Sequence, residues 1–137
     1  MEFVQPIGFN RGVVLYVVAP SLDPTAVTQL VGVTPEKAEA PRWTLTHRSD
    51  GSTGNYRASG YWAHGVRGKP TDPIDAIVDQ AIQWIMVHHD ALKRLYSDCR
   101  FVIAFPYPGP QPSDLVLDYR EVTDRLGIEL RSPLPRR

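Results

Sequence analysis

Val13-Val14-Leu15-Tyr16-Val17-Val18-Ala19-Pro20-Ser21-Leu22-Asp23-Pro24-Thr25-Ala26-Val27-Thr28-Gln29-Leu30-Val31-Gly32 is the stretch on which the fold turns. Its first six residues are short, continuous and mostly β-branched, the pattern of a central strand buried on both faces. Pro20 ends the strand. Asp23 has the character of an N-cap, with Pro24 at the first helical position, where its missing N–H costs nothing. Val27, Leu30 and Val31 give one apolar face, and Gly32 suits the left-handed position that stops a helix. Part of this unit recurs. Asp23-x-x-x-Val27-Thr28 leads to Val31-Gly32-Val33, and Asp118-x-x-x-Val122-Thr123 leads to Leu126-Gly127-Ile128 with matched spacing. Each copy reads as a small helix and the strand that follows it. The recurrence is equally consistent with a pseudo-duplication and with shared caps on a common apolar period.

Working outward, residues 34–41 hold two prolines and mixed polarity and read as a connector. Arg42 to Arg48 alternates, with Trp43, Leu45 and His47 on one side, as a half-buried strand does. Ser49 to Ser59 is polar and contains Gly51, Gly54 and Asn55, an expected exposed loop. Gly60 to Val66 is a second strand, and the two strands suggest a long-looped hairpin. From about Pro73 to Tyr96 a helix is expected, capped by Asp72. Ile74, Ile77, Val78, Ala81, Ile85, Leu92 and Leu95 form its stripe, and Trp84, Met86 and Val87 widen it. Phe101 to Phe105 is another buried strand. A proline-rich connector follows, then Leu115 to Leu117, which could pair briefly. Asp118 and Glu121 make a capping box for a third helix that Gly127 stops, and Ile128 to Leu130 is the last strand.

The expected order is β-α-β-β-α-β-α-β. That is an α+β fold, a mixed or antiparallel sheet with helices on one face. Its first six elements match the split β-α-β layout of ferredoxin-like folds. At 137 residues one domain is the natural reading, with a core over about 12–131 and frayed tails at 1–11 and 132–137. Fifteen Lys and Arg balance fifteen Asp and Glu. A neutral chain has no bulk field for a phosphate polymer, which argues against nucleic acid. Cys99, the one cysteine, cannot close an internal disulfide. No signal pattern opens the chain, and the run Val13 to Ala19 is too short to span a bilayer, so cytoplasmic residence without membrane attachment is expected.

The chain resembles a bacterial family of uncharacterised proteins, domain of unknown function 4279. An opening strand and helix lead there into a Leu-Gly-x-x-Pro segment, to which Leu30-Val31-Gly32-Val33-Thr34-Pro35 corresponds with one residue inserted. The family's strand-opening tryptophan is matched by Trp62 or Trp43, its long amphipathic helix by residues 73–96, and its closing helix-Gly-strand unit by Glu121 to Leu130. The resemblance covers about residues 12–131. The family's basic-glycine pair after the proline is missing, and Glu36-Lys37-Ala38 stands in its place. The resemblance implies a small cytosolic protein with no assigned enzyme chemistry. Some members resemble the immunity partners of bacterial toxins.

No catalytic set stands out. His88 and His89 are adjacent on the long helix and point about 100° apart, so they cannot share a metal; a helical pair would need i and i+4 spacing. His88 falls on the apolar stripe and His89 off it. His47 and His64 could approach across the hairpin ladder but lack a third ligand nearby. Cys99, between Asp98 and Arg100, reads as a small buried residue. No Gly-x-Ser-x-Gly elbow or phosphate loop occurs. Neither a metal nor a cofactor is expected. Arg42, Trp43, Tyr56, Arg57, Tyr61, Trp62 and Arg67 cluster on the expected hairpin, and Arg, Tyr and Trp dominate interface energetics. The tryptophans are expected to pack on the helices. That leaves Arg42, Tyr56, Arg57, Tyr61 and Arg67 as the candidate partner surface.

The function expected is a non-catalytic protein-binding module, an immunity-type protein that neutralises a cognate toxin. The alternative is a small enzyme or ligand-binding domain with a pocket between sheet and helices, involving His88, His89 or Cys99. An exposed edge strand would permit a homodimer.

Overall fold

A computed structural model describes residues 12–47, 49–69, 71–105, 112, 115 and 119–131; in 43–47, 53, 55–57 and 119–120 only the backbone is described. The elements run β1 (Gly12–Ala19), α1 (Pro24–Val31), β2 (Lys37–Glu39), β3 (Arg42–His47), β4 (Thr53–Ala58), β5 (Gly60–Arg67), α2 (Ile74–Leu95), β6 (Arg100–Ala104), α3 (Tyr119–Leu126) and β7 (Ile128–Arg131). A five-stranded sheet has the order β2-β5-β1-β6-β7, and β3 and β4 form a separate two-stranded ladder.

β1 is central, as its run of aliphatics requires. It is antiparallel to both β5 and β6. β2 is antiparallel to β5 and therefore parallel to β1, with β5 inserted between them. That is the split β-α-β arrangement. β7 is added parallel to β6 at the far edge. The fold is α+β, with a mixed sheet and three helices packed on one face.

Burial of β1 is one-sided. Val13, Leu15, Val17 and Ala19 are buried, whereas Val14, Tyr16 and Val18 are half-buried on the other face. This corrects the expectation of a strand enclosed on both sides: helices cover one face only, so alternate residues meet different surroundings. The core joins β1 to Trp62 of β5, the α2 stripe through Ile77, Ala81, Ile85 and Leu92, and Phe101 and Ile103 of β6.

The helix ends follow local rules. Asp23 accepts a hydrogen bond from the Thr25 N–H at 3.0 Å. Gly32 ends α1 at φ 76°, donating to the Thr28 carbonyl at 2.8 Å. Gly127, at φ 70°, follows α3 in the same way, and a side chain at either glycine would strain the backbone. The start of α2 differs from expectation. Pro73 is its N-cap residue, while the Asp72 carboxylate closes the preceding turn by accepting from the Lys69 N–H at 2.9 Å. Asp118, half of the expected capping box, lies outside the described residues, as do the connector 106–111, Val116, Leu117 and both tails. Leu115 packs against the core.

The middle of the chain is where the expectation fails. β3 pairs with β4, not with β5, and Gly60–Arg67 belongs to the main sheet. Residues 53–58, expected as loop, are a strand, and residues 34–41, expected as a connector, contain β2. The turn is short. Gly51 takes φ 90°, and Asp50 Oδ1 accepts from the Ser52 N–H and hydroxyl at 2.9 and 2.6 Å. Asp50-Gly51 was the turn signal. Its force was hidden by Gly54 and Asn55, poor strand formers that cross-strand pairing holds extended.

Candidate functional site

The helix-free face of the sheet is assembled by strand parity. Tyr16 and Tyr61 project there from neighbouring strands, and their rings meet edge to face at 5.9 Å. Tyr16 stands opposite Ala63 on one side and Val102 on the other. These two small side chains are 2% and 4% exposed, so they floor the face while the tyrosines form its relief.

Charged groups flank this apolar strip on both sides. On the β2 side, Arg67 grips the Glu36 carboxylate with two hydrogen bonds, Nη1 to Oε2 at 2.5 Å and Nη2 to Oε1 at 3.1 Å. The guanidinium holds the Glu36 carboxyl below its ordinary range, against the opposing effect of partial burial. Glu36 in turn raises the pKa of Arg67. A Cβ on Gly65 would lie 2.3 Å from Glu36 Oε2 and 2.9 Å from Arg67 Nη1, so the pair lies flat across the glycine. Lys37 stands opposite Ala63 and Glu39 opposite Tyr61. Arg42 Nη2 reaches Glu39 Oε1 at 3.8 Å. At the far edge Arg100 and Arg131 both contact Glu129, with Arg131 Nε at 3.0 Å.

Three of the five expected partner residues, Arg42, Tyr61 and Arg67, thus meet on or beside one face. They do not lie on one hairpin, as the sequence suggested: Tyr61 and Arg67 belong to the main sheet, and Arg42 opens β3. The side chains of Tyr56 and Arg57 lie outside the described residues. Tyr16, Glu36, Arg100 and Arg131 were missed, because only strand pairing brings them to this surface.

The hairpin β3–β4 is rooted beside this face. A Cβ on Gly60 would lie 2.8 Å from Pro41 Cδ and 2.5 Å from the Leu22 carbonyl oxygen. The chain therefore leaves the sheet at Pro41 and re-enters it at Gly60, side by side. The seventeen residues Arg42 to Ala58 are an insertion between two neighbouring points of the frame.

The histidines and the thiol do not converge on one site, although His64 and His88 flank the same indole. His88 packs on Trp84 at 4.4 Å, and His64 and Trp62 stack near the same indole at 6.0 and 5.6 Å. Trp62 is fully buried, and its indole N–H donates to the Thr28 hydroxyl at 3.0 Å. That gives the recurring Val-Thr a packing role in its first copy. His64 Nδ1 is buried with no hydrogen-bond partner among the described residues. Burial lowers the pKa of His88. His89 stacks on Phe101 at 5.4 Å and approaches Asp90 at 3.1 Å, so it does pack on the sheet side, contrary to expectation. The helix is wide enough there for both histidines to flank its buried stripe. His47 and His64 are on different ladders, opposite Thr53 and Leu15, which removes the cross-strand approach expected for them.

Cys99 is 1% exposed, and burial pushes its thiol up to about 11, so it is a poor nucleophile near neutrality. Met86 and Val87 are exposed and do not widen the core stripe. Among the described residues no three of His, Cys, Asp and Glu gather as metal ligands, and no helix is long and apolar enough to cross a membrane. Comparison with family models, with curated proteins and with solved structures finds no match.

Proposed function

We propose that this chain is a non-catalytic protein-binding module that docks its partner through the β3–β4 hairpin and the adjoining Tyr16–Tyr61 sheet face. The observation that carries the reading is the insertion at Pro41 and Gly60. Removing residues 42–58 would leave the five strands and three helices with their pairings, so the hairpin is not needed to complete the sheet. Elements carried on a rigid frame in this way commonly serve recognition. The surface beside it has the interface residue types, Tyr and Arg, already held in place by cross-strand contacts. Such preorganisation reduces the ordering cost of binding.

The specific form we favour is an immunity-type protein of a bacterial cytoplasm that blocks a cognate toxin by covering its surface. The resemblance to domain of unknown function 4279 supports this form. A single-stranded nucleic-acid platform is disfavoured by detail. Arg42, Arg67, Arg100 and Arg131 are each engaged by a glutamate on the same face. A phosphate chain would have to displace those carboxylates or lie against them.

The test is co-expression with toxin-domain candidates encoded beside the gene. The full chain should rescue growth and co-purify in a defined complex. A chain lacking residues 42–58, and separately Tyr61→Ala, should fail at both while remaining folded by circular dichroism. Rescue undiminished by both changes would refute this surface as the docking site.

A further inference from the structure

We propose that this chain pairs with a second copy of itself along the outer edge of β7. The inference is independent of the docking reading above, because β7 and the root of the hairpin lie on opposite sides of β1. Among the described residues, β6 is the one strand paired with β7. In a strand the N–H and C=O of one residue point to the same side, and those of the next residue to the other. The Arg131 carbonyl accepts from the Phe105 N–H at 2.9 Å, so the backbone groups of Arg131, and with them those of Glu129, are turned towards β6. The N–H and C=O of Leu130 therefore face outward. An antiparallel second copy centred on Leu130 would exchange both of these hydrogen bonds. That register sets Glu129 opposite the second copy's Arg131, and Arg131 opposite its Glu129, at closely spaced positions of the ladder. Opposite charges facing each other across a ladder stabilise it, and like charges destabilise it. Registers centred on Glu129 or on Arg131 put like charge against like, as does parallel pairing in register. Charged side chains often guard an edge by repelling a second copy. Glu129 and Arg131 have the reverse effect, being of opposite sign and symmetric about Leu130. Both are about half exposed, and Arg131 Nε donates to Glu129 at 3.0 Å. A two-fold axis would close two such pairs into a ring of alternating charge. On the helix side, the partly buried Leu130 packs against the core, and its remaining surface would meet its own copy. The opposite edge is less open. β2 is three residues long between Pro35 and Pro41, and the hairpin departs at its end. Proline withholds the N–H that an added strand needs.

Sedimentation velocity of the full chain from about 5 to about 500 µM tests the pairing, since a short ladder associates weakly. The native chain should pass from monomer to dimer with concentration, and less readily in about 0.5 M NaCl, where the charges are screened. Glu129→Arg and Arg131→Glu should each weaken the dimer about tenfold, because each turns two attractive cross-strand pairs into repulsive ones. An equimolar mixture of the two single variants should dimerise again. So should the double variant Glu129→Arg/Arg131→Glu, because both restore opposite charges across the axis. A purely structural role for the pair within one chain would not produce rescue on mixing. Amide exchange gives a second reading. The Leu130 N–H should exchange faster than those of Glu129 and Arg131 in dilute solution, and should slow as the chain is concentrated. A chain that stays monomeric at every concentration overturns the proposal. A dimer indifferent to both reversals overturns it too, as do single variants that are folded by circular dichroism and fail to recover on mixing. None of these outcomes alters growth rescue through the hairpin, which decides the docking reading on its own.

Discussion

Gly60 and Gly65 lie on one strand, yet substitution should affect them differently. At Gly60 an added methyl meets the Leu22 carbonyl, backbone that cannot step aside, and the ring of Pro41. Gly60→Ala should cost about 1–3 kcal/mol, as overpacking does, and should loosen the root of the hairpin. At Gly65 the obstacle is the far end of Glu36 and Arg67, flexible and half-exposed. Gly65→Ala should cost about 1 kcal/mol or less by displacing the ion pair. Urea denaturation of the two variants checks the contrast. His88 supplies a pH dependence. Its folded-state pKa is lowered by burial from 6.5, so the unfolded chain takes up the proton more readily. The stability that this neutral histidine contributes is present above pH 6.5 and is lost as pH falls below it through the depressed value. Between pH 7.5 and 5.5 the native chain should lose more stability than His88→Phe, which keeps a ring on Trp84 without a titrating group. Parallel urea curves at the two pH values measure the difference.

The elements differ in how far each is fixed locally. The two short helices carry their own start or stop signals, and Gly32 and Gly127 act as their composition implies. The long helix is fixed by its stripe, although Pro73 rather than Asp72 occupies its cap. β2 is only three residues and carries no alternation of its own; it is a strand because β5 offers it a ladder. The β3–β4 hairpin is bounded by residues that already touch. Replacing Arg42 to Ala58 with a two-residue Gly-Ser link should therefore leave the five-stranded sheet intact, with a melting temperature within about 5 °C of the parent. Circular dichroism and amide-exchange protection of β1 and β5 are the readouts. Loss of cooperative melting would show that the hairpin is part of the frame.

For the molecule as a whole, one cluster links β1, α1, β5, α2, β6 and β7. Ile85, fully buried in it, touches no proposed binding residue by position or face. Ile85→Ala should cost about 2–5 kcal/mol. Tryptophan fluorescence and far-ultraviolet ellipticity should then still report coincident transitions, as a cooperative core requires. Residue types alone establish the central strand, the stripe of α2, the positive-φ stops and the α+β class, because these rest on interactions over one or two turns of chain. Composition also picks out Arg42, Tyr61 and Arg67. Local pattern puts them on strands that do form but pairs those strands with each other, since a strand's partner depends on register between distant segments, and weak local signals such as Gly54-Asn55 misdirect that choice. Long-range strand pairing, which composition does not encode, puts Trp43 and Trp62 in different sheets and Tyr16 beside Tyr61. Alternation assigns side chains to one side or the other, but pairing between strands decides which of them become neighbours.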